Sequence, residues 1–275
     1  MHETFAFYEN IRDVATTAAR KAGRIIAGAV GRIDLSKVRS KGTHDLVTEV
    51  DVQAEAIILE AIKTNFPNHQ VLAEESYAGA MESYENIDSL WIVDPIDGTT
   101  NFMHGVPPYA VSIAFRHHGE LVVGVVYDVA YDELFTAIKG RGLIHNGSPA
   151  KTSNTPSLSE SLVTTGFPYR AYGHIDQYLS VLKRFMQTSR GVRRPGSASV
   201  DLAWVAAGRF DAFFETGLMP WDVAAGIVLV REGGGRISDY SGNPEPSFSA
   251  QIVASNGNVH EEVLEFLSPM SEVYD

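Results

Sequence analysis

The chain has 275 residues, with 22 Lys plus Arg against 34 Asp plus Glu, a formal net charge of −12 and no cysteine. That length can bury a sizeable core, as one large domain or as two closely packed halves. The acidity argues against a nucleic-acid footprint or an anionic membrane surface, and the missing cysteines exclude disulfides, thiolate catalysis and cysteine-ligated zinc or iron–sulfur centres.

In chain order, Phe5, Tyr8, Ile11, Ala15, Ala18, Ala22, Ile25 and Ala29 recur at three- and four-residue spacing, which predicts a long amphipathic helix. A second stripe, Val50, Ala54, Ile57, Ile58, Ala61 and Ile62, predicts another helix ending near Pro67-Asn68. Gln70–Ala73 is short and strand-like, and apolar runs predict strands at Leu90–Val93, Tyr109–Phe115, Leu121–Tyr127 and Glu133–Ala137. The middle pair is separated by His117-His118-Gly119-Glu120, as in a hairpin. The polar stretch Asn146–Ser161 is the candidate boundary between halves of roughly 1–145 and 146–275. Beyond it helix and strand alternate, with helices at Ile175–Thr188, Val200–Ala207, Val223–Arg231 and Val259–Phe266 and strands at Phe210–Phe214 and Ile252–Ala254. The class is α/β or mixed α+β, with no internal repeat. No apolar run reaches the ~18 residues of a membrane span and the N-terminus lacks a signal-peptide core, so a cytoplasmic location is expected.

The chemistry concentrates in Trp91-Ile-Val-Asp-Pro-Ile-Asp-Gly-Thr-Thr-Asn-Phe102. A buried strand runs into a turn that can hold Asp94, the Ile96 carbonyl and Asp97 around one point, an oxygen set suited to a hard divalent cation. The N–H groups of Gly98 and Thr99 follow, and successive exposed N–H groups beside a metal can seat a phosphate. Other candidates have structural readings of their own. Thr48 and Asp51 sit three apart before a helix, so Asp51 can be a helix-start residue. Glu74-Glu75 can be a solvated strand edge, and Asp222 can be an N-cap. The nine histidines show no metal-binding spacing and read as surface or packing residues. Gly233-Gly-Gly235 reads as the end of a helix, and Arg193-Arg194 as an anion clamp, a subunit contact or a solvated pair.

The twelve-residue string resembles the WxxDPxDGTxNF signature of the inositol monophosphatase family. Asp45-Leu-Val-Thr-Glu-Val-Asp51, Leu72-Ala-Glu-Glu-Ser76 and Pro220-Trp-Asp-Val-Ala-Ala-Gly226 resemble its other blocks, in family order. Gly166-Phe-Pro-Tyr169, Arg193-Arg-Pro-Gly-Ser-Ala198 and the run from Asp201 to Arg209 resemble bacterial members. Ala73 and Gly233 depart from the pattern without replacing a proposed ligand.

The resemblance implies a single domain over residues 1–275, folded as a layered α-β-α-β-α sandwich with the site between the halves. It implies one Mg²⁺ on Glu74, Asp94 and the Ile96 carbonyl and a second on Asp94, Asp97 and Asp222, with a third, weaker ion held by Glu74 through water. Thr99 aligned by Asp51 would activate the attacking water, and Gly98 and Thr99 would hold the phosphate. Asp97, Gly196, Ser197, Ala198, Glu215 and Asp222 would line the substrate pocket. Thr100-Asn101-Phe102 resembles the inositol branch and points to myo-inositol 1-phosphate, handled by a lithium-sensitive homodimer. The alternatives are a broad-specificity sugar phosphatase that includes fructose 1,6-bisphosphate, and, from another class, a non-catalytic acidic cation-binding regulatory scaffold. A scaffold has no need for the aligned water that Asp51 and Thr99 imply.

Overall fold

The computed structural model describes residues 2–32, 39–42, 45–79, 81–84, 86–169, 172–245 and 251–271. The elements of the first part are α1 (His2–Ala29), β1 (Arg39–Gly42), β2 (Asp45–Val47), α2 (Glu49–Asn65), β3 (Gln70–Ala73), β4 (Ser89–Asp97), α3 (Thr99–His104), β5 (Ala110–His117), β6 (Glu120–Asp128), β7 (Glu133–Ile138), β8 (Leu143–His145) and β9 (Ser148–Ala150). Then come β10 (Leu162–Thr165), α4 (Ile175–Thr188), β11 (Gly191–Arg193), α5 (Ala198–Ala206), β12 (Ala212–Thr216), α6 (Pro220–Glu232), β13 (Arg236–Ser238), β14 (Gln251–Ser255) and α7 (His260–Leu267).

The strands from β3 to β9 form a seven-stranded sheet in sequential order, and a five-stranded sheet has the order β11-β10-β12-β14-β13. In the larger sheet β3 and β4 are parallel and the remaining neighbours antiparallel. The expected hairpin is present: His117 pairs with Glu120 across His118 and Gly119, whose φ values of 52° and 81° suit a two-residue turn with the twist of the flanking strands.

Strand β4 is buried on both faces, so its residues divide between two cores with the period of two of an extended chain. Trp91 and Val93 join a core with Ile11, Ala18 and Ile26 of α1 and Ile58 of α2, whereas Leu90 and Ile92 join a core with Leu202 of α5 and Val228 of α6. The latter core continues to Phe213 and Ile252 of the five-stranded sheet. That sheet is closed on its outer face by Tyr178 and Phe185 of α4 and Val263 of α7 over Phe214 and Val253. Five layers result, in the order α-β-α-β-α. Helices α5 and α6 are buried almost all round, as a middle layer between two sheets requires.

The differences from sequence expectation have local causes. The strand expected at Phe210–Phe214 lies at Ala212–Thr216, because Asp211 turns its carboxylate to the Leu162 N–H, 2.7 Å away, and delays the ladder. The helix expected at Val200–Ala207 starts at Ala198 and ends at Ala206. The Asn146–Ser161 stretch contains β9, paired with β8 through His145 and Ser148, so polar residues of an edge hairpin had the composition of a linker. Strands β1, β2, β11 and β13 are three or four residues long, too short to show a period.

Candidate active site

Residues three apart on a regular strand face opposite sides of the sheet. Asp94 and Asp97 nevertheless act on the same side, because the β4–β5 register shifts between them: Asp94 pairs with Ser112 and Asp97 with Ala110. The extra residue in Pro95-Ile96 makes a bulge that re-aims the second carboxylate. The Ile96 N–H fixes the first by donating to Asp94 Oδ1 at 2.9 Å. Asp222, in the first turn of α6 behind Pro220, completes a group whose carboxylate oxygens lie within 4.8 Å of one another. The N-cap of α6 is Met219 and not Asp222, whose Oδ2 accepts from the Met219 N–H at 2.7 Å.

Glu74 follows β3, where its N–H donates to the Val93 carbonyl at 3.1 Å and sets it beside Asp94. It stands outside the three-carboxylate group but acts on it electrostatically. Burial pushes Asp94 well above the usual carboxylate range, and the charges of Glu74, Asp97 and Asp222 and a hydrogen bond with Glu74 push the same way. Burial also raises Asp97, against three hydrogen bonds to its Oδ2: Ser197 Oγ at 2.6 Å, Ser199 Oγ at 2.6 Å and Ser199 N at 2.7 Å. Carboxylates crowded this far from water call for a compensating cation. Their all-oxygen donor set fits Mg²⁺ or Ca²⁺ better than a soft metal. The cluster can coordinate a divalent metal.

Asp51 makes contacts in two directions, through different oxygens. Its Oδ2 accepts from the Thr48 N–H at 2.9 Å and the Thr48 hydroxyl at 2.5 Å, while Thr48 Oγ1 accepts from the Val50 N–H at 3.1 Å, which closes a capping box at the start of α2. Its Oδ1 lies 3.2 Å from Thr99 Oγ1, which is also 3.0 Å from the Ile96 carbonyl. Burial raises the Asp51 carboxyl above its ordinary value, opposed by the bonds from Thr48 and Thr99. Thr99 opens α3 behind Gly98, whose φ of 91° is easy only for glycine and where a Cβ would press on Pro108, Gly196 and Ser197. The first N–H groups of such a turn have no intrahelical acceptor.

A cavity of about 190 Å³ opens beside the carboxylates, lined among others by Asp97, Arg194, Gly196, Ser197, Ala198, Glu215 and Asp222. Glu215, on β12, lies directly over Gly166, where any Cβ would collide with its carboxylate. Arg194 stands 5.4 Å from the Phe167 ring centre and 5.3 Å from that of Tyr169, within cation–π range, and lines the cavity.

The cavity wall takes in Asp97, Gly196, Ser197, Ala198, Glu215 and Asp222, while Glu74 and Asp94 adjoin it through the carboxylate group and Asp51 and Thr99 through Ile96 and Gly98, and three residues outside the expected ligand and lining set support it. Ser199 holds Asp97 with two bonds. Asn101 donates to the carbonyls of Pro108 at 2.9 Å and Pro195 at 2.8 Å, tying the loop before β5 to the Gly196 loop. Asp201 is buried, takes a bond from Thr164 Oγ1 at 2.8 Å, and is raised well above the carboxylate range by burial and then by Glu215 and Asp97. Asn101 was visible inside the twelve-residue string; Ser199 and Asp201 are separated from their partners by too much chain for spacing to show them.

The comparisons with known proteins converge on one group. A model of the inositol monophosphatase family matches residues 8–270. The chain is 44% identical to Nus factor SuhB of Pseudomonas aeruginosa over 94% of its own length and 95% of the relative's. It superposes on the inositol monophosphatase structure from Anabaena (Nostoc) sp. PCC 7120 with a TM-score of 0.84 and 38% identity, covering 95% of this chain and 96% of that one. The inositol monophosphate-bound structure of SaIMPase-II gives a TM-score of 0.79 at 30% identity, with 96% of both chains covered. The layered sandwich of two sheets flanked by helices is the fold these structures share. Sequence blocks, layer order and carboxylate cluster therefore have one explanation: the chain belongs to the inositol monophosphatase family of metal-dependent phosphomonoesterases.

Proposed function

We propose that this chain is a Mg²⁺-dependent phosphatase that converts myo-inositol 1-phosphate to myo-inositol and phosphate. The observation that carries the reading is that Asp97 and Asp222 belong both to the carboxylate group and to the cavity wall, with Glu215 on the same wall. A phosphate bound at the carboxylates therefore projects its alcohol toward Glu215. The likeness to an inositol monophosphate-bound structure and the Thr100-Asn101-Phe102 string support inositol as that alcohol.

Glu74, Asp94, Asp97, Asp222 and the Ile96 carbonyl would hold two Mg²⁺ ions, with a third, weaker one at Glu74. Bound there, the metal would supply a low-pKa water and neutralise charge on the phosphoryl oxygens. Thr99, backed by the Asp51 carboxylate, orients the attacking water and passes its proton toward Asp51. The N–H groups of Gly98 and Thr99 hold the phosphate, and Glu215 accepts hydrogen bonds from ring hydroxyls. Gly196, Ser197 and Ala198 shape the wall between them. The family resemblance supports a cytoplasmic homodimer as the working form.

Two specific observations favour second readings. Arg194 beside the cavity offers a cation to another anionic group, which suits a broader sugar phosphatase acting on bisphosphates. Similarity to proteins named Nus factor SuhB favours a regulatory protein that works without turnover. Phosphate release with and without Mg²⁺, on a panel of myo-inositol 1-phosphate, fructose 1,6-bisphosphate and p-nitrophenyl phosphate, separates the three. Inositol phosphate is expected to show the highest kcat/KM. Glu215→Gln is expected to lower that value by roughly tenfold to a hundredfold, about 1.4 to 2.7 kcal/mol, and to spare p-nitrophenyl phosphate, which has no hydroxyl. A preference for the bisphosphate supports the broader enzyme, no release on any substrate the regulatory reading, and equal losses on both monoesters reassign Glu215 to the metal site.

A further inference from the structure

Asp88, His117 and His118 come together at the end of the seven-stranded sheet remote from the carboxylate group, and their ligating atoms lie within 4.8 Å of one another. Asp88 precedes β4, and the strand carries the chain about 20 Å before Asp94, at ~3.3 Å per residue. The two clusters are therefore separate. The arrangement is held from several sides. The His118 N–H donates to the Asp88 carbonyl at 2.9 Å, and the His118 Nδ1 meets Asp88 Oδ1. Tyr8 of α1 bonds His117 Nδ1 at 3.0 Å, which fixes the ring and leaves Nε2 for another partner. Behind His117 the rings of Phe115, His69 and Phe66 continue a stack, with centroid steps of 5.9, 5.3 and 4.9 Å and tilts of 25°, 18° and 14°. The His117 and His118 rings are 3.9 Å apart.

As a salt bridge, an exposed Asp–His pair stabilises a fold very little. Two imidazoles and a carboxylate are instead a donor set for borderline transition ions, with a hydrogen bond on the far nitrogen of one ligand of the kind that orients metal-bound histidines. We propose that Asp88, His117 and His118 form a second cation site, selective for Zn²⁺ over Mg²⁺, with its outer face open to water or to a further ligand. Its ion joins the start of β4 to the β5–β6 turn. Through Tyr8 it also steadies the first helix. This site does not depend on the phosphatase reading.

The test is equilibrium dialysis of the full-length chain against Zn²⁺ at neutral pH, with Mg²⁺ in large excess to hold the carboxylate centre. Wild type is expected to retain one Zn²⁺ per chain. His118→Gln and Asp88→Asn, both at exposed positions, are each expected to weaken that binding at least tenfold, and His117→Gln likewise where it folds. Asp94→Asn is expected to keep it, and Zn²⁺ is expected to shift the His117 and His118 imidazole resonances. Failure of wild type to retain zinc under excess Mg²⁺ overturns the proposal. So does retention undiminished in His118→Gln and Asp88→Asn, or loss confined to Asp94→Asn.

Discussion

The two oxygens of Asp51 make different demands on any replacement, which allows its two functions to be measured apart. Oδ2 accepts two bonds from Thr48 at 2.9 and 2.5 Å, and Oδ1 faces the Thr99 hydroxyl at 3.2 Å. Asparagine has one acceptor oxygen. In Asp51→Asn it can satisfy the cap or Thr99, not both, and its NH₂ group cannot take a proton from a water oriented by Thr99. We expect kcat to fall by about a hundredfold or more, ~2.7 kcal/mol, and melting to drop by 2–4 °C for each ~1 kcal/mol of capping lost. Thr99→Ala leaves the cap intact, so it is expected to lower kcat to a similar degree with little change in melting temperature. If the two side chains act as one unit, the double variant costs little beyond the worse single change in kcat. Its melting temperature follows Asp51→Asn alone. The assays are steady-state phosphate release at saturating Mg²⁺ and differential scanning calorimetry on all four proteins. Strictly additive losses in log kcat refute the shared-unit reasoning. An Asp51→Asn variant that melts early but turns over normally makes Asp51 a helix cap only.

Three further outcomes follow from the same geometry. Asp94→Asn, which removes the charge of a carboxylate that burial and its acidic neighbours raise well above the usual range, is expected to abolish Mg²⁺-dependent turnover, on the order of a thousandfold or more; near-normal release, or full release after exhaustive chelation, defeats the metal reading. Gly166→Ala is expected to displace Glu215 and copy the substrate selectivity of Glu215→Gln, read as loss of kcat/KM on inositol phosphate with p-nitrophenyl phosphate spared. Asp128 is buried, with its pKa raised to about 6 by burial and, among the described residues, only Oδ1 taking bonds, from the Ala130 and Tyr131 N–H groups. A raised value favours the protonated form in the fold, so its stabilising contribution is full below the unfolded carboxylate value and is lost as pH rises through about 6. Asp128→Asn is accordingly expected to gain stability on wild type between pH 4.5 and 7.5, by ~1–3 kcal/mol in urea melts; a difference that does not change with pH refutes the assignment.

The long elements were legible because burial imposes a period on them: the α1 stripe returned as Ile11, Ala15, Ala18 and Ala22 in the core, and the Leu90–Val93 run as a strand buried on both faces. Asp94 and Asp97 could be placed at one point from the turn chemistry of Pro95 and Gly98, although the bulge that brings them together is a pairing event with β5 and cannot be read from β4 alone. What stayed hidden depends on contacts over long separations. Ser199 reaches Asp97 from α5, Gly166 makes room for Glu215 from just beyond β10, and Asp88 meets His117 and His118 only because β4 and β5 are antiparallel neighbours. Asp51 reads both as a helix start and as the partner of Thr99; the capping box is present and its other oxygen faces Thr99, since a carboxylate has two oxygens and the sequence does not say how they are shared.

Helix α6 touches both sheets and carries in its first turn Asp222, the residue that completes the carboxylate cluster. Asp94 and Asp97 arrive from the larger sheet and Glu215 from the smaller, so the reacting end and the recognition end of the proposed phosphatase cleft would be built on different sheets with α6 as the spacer between them. Such a division makes the two ends independently editable. Exchanging residues on β12 or around Gly166 can change which alcohol is accepted while the oxygen cage stays in register, whereas a shift of α6 by even a fraction of a helical turn would disturb both at once. Variation in what the protein accepts is therefore expected to accumulate on the five-stranded side, and α6 to tolerate change least.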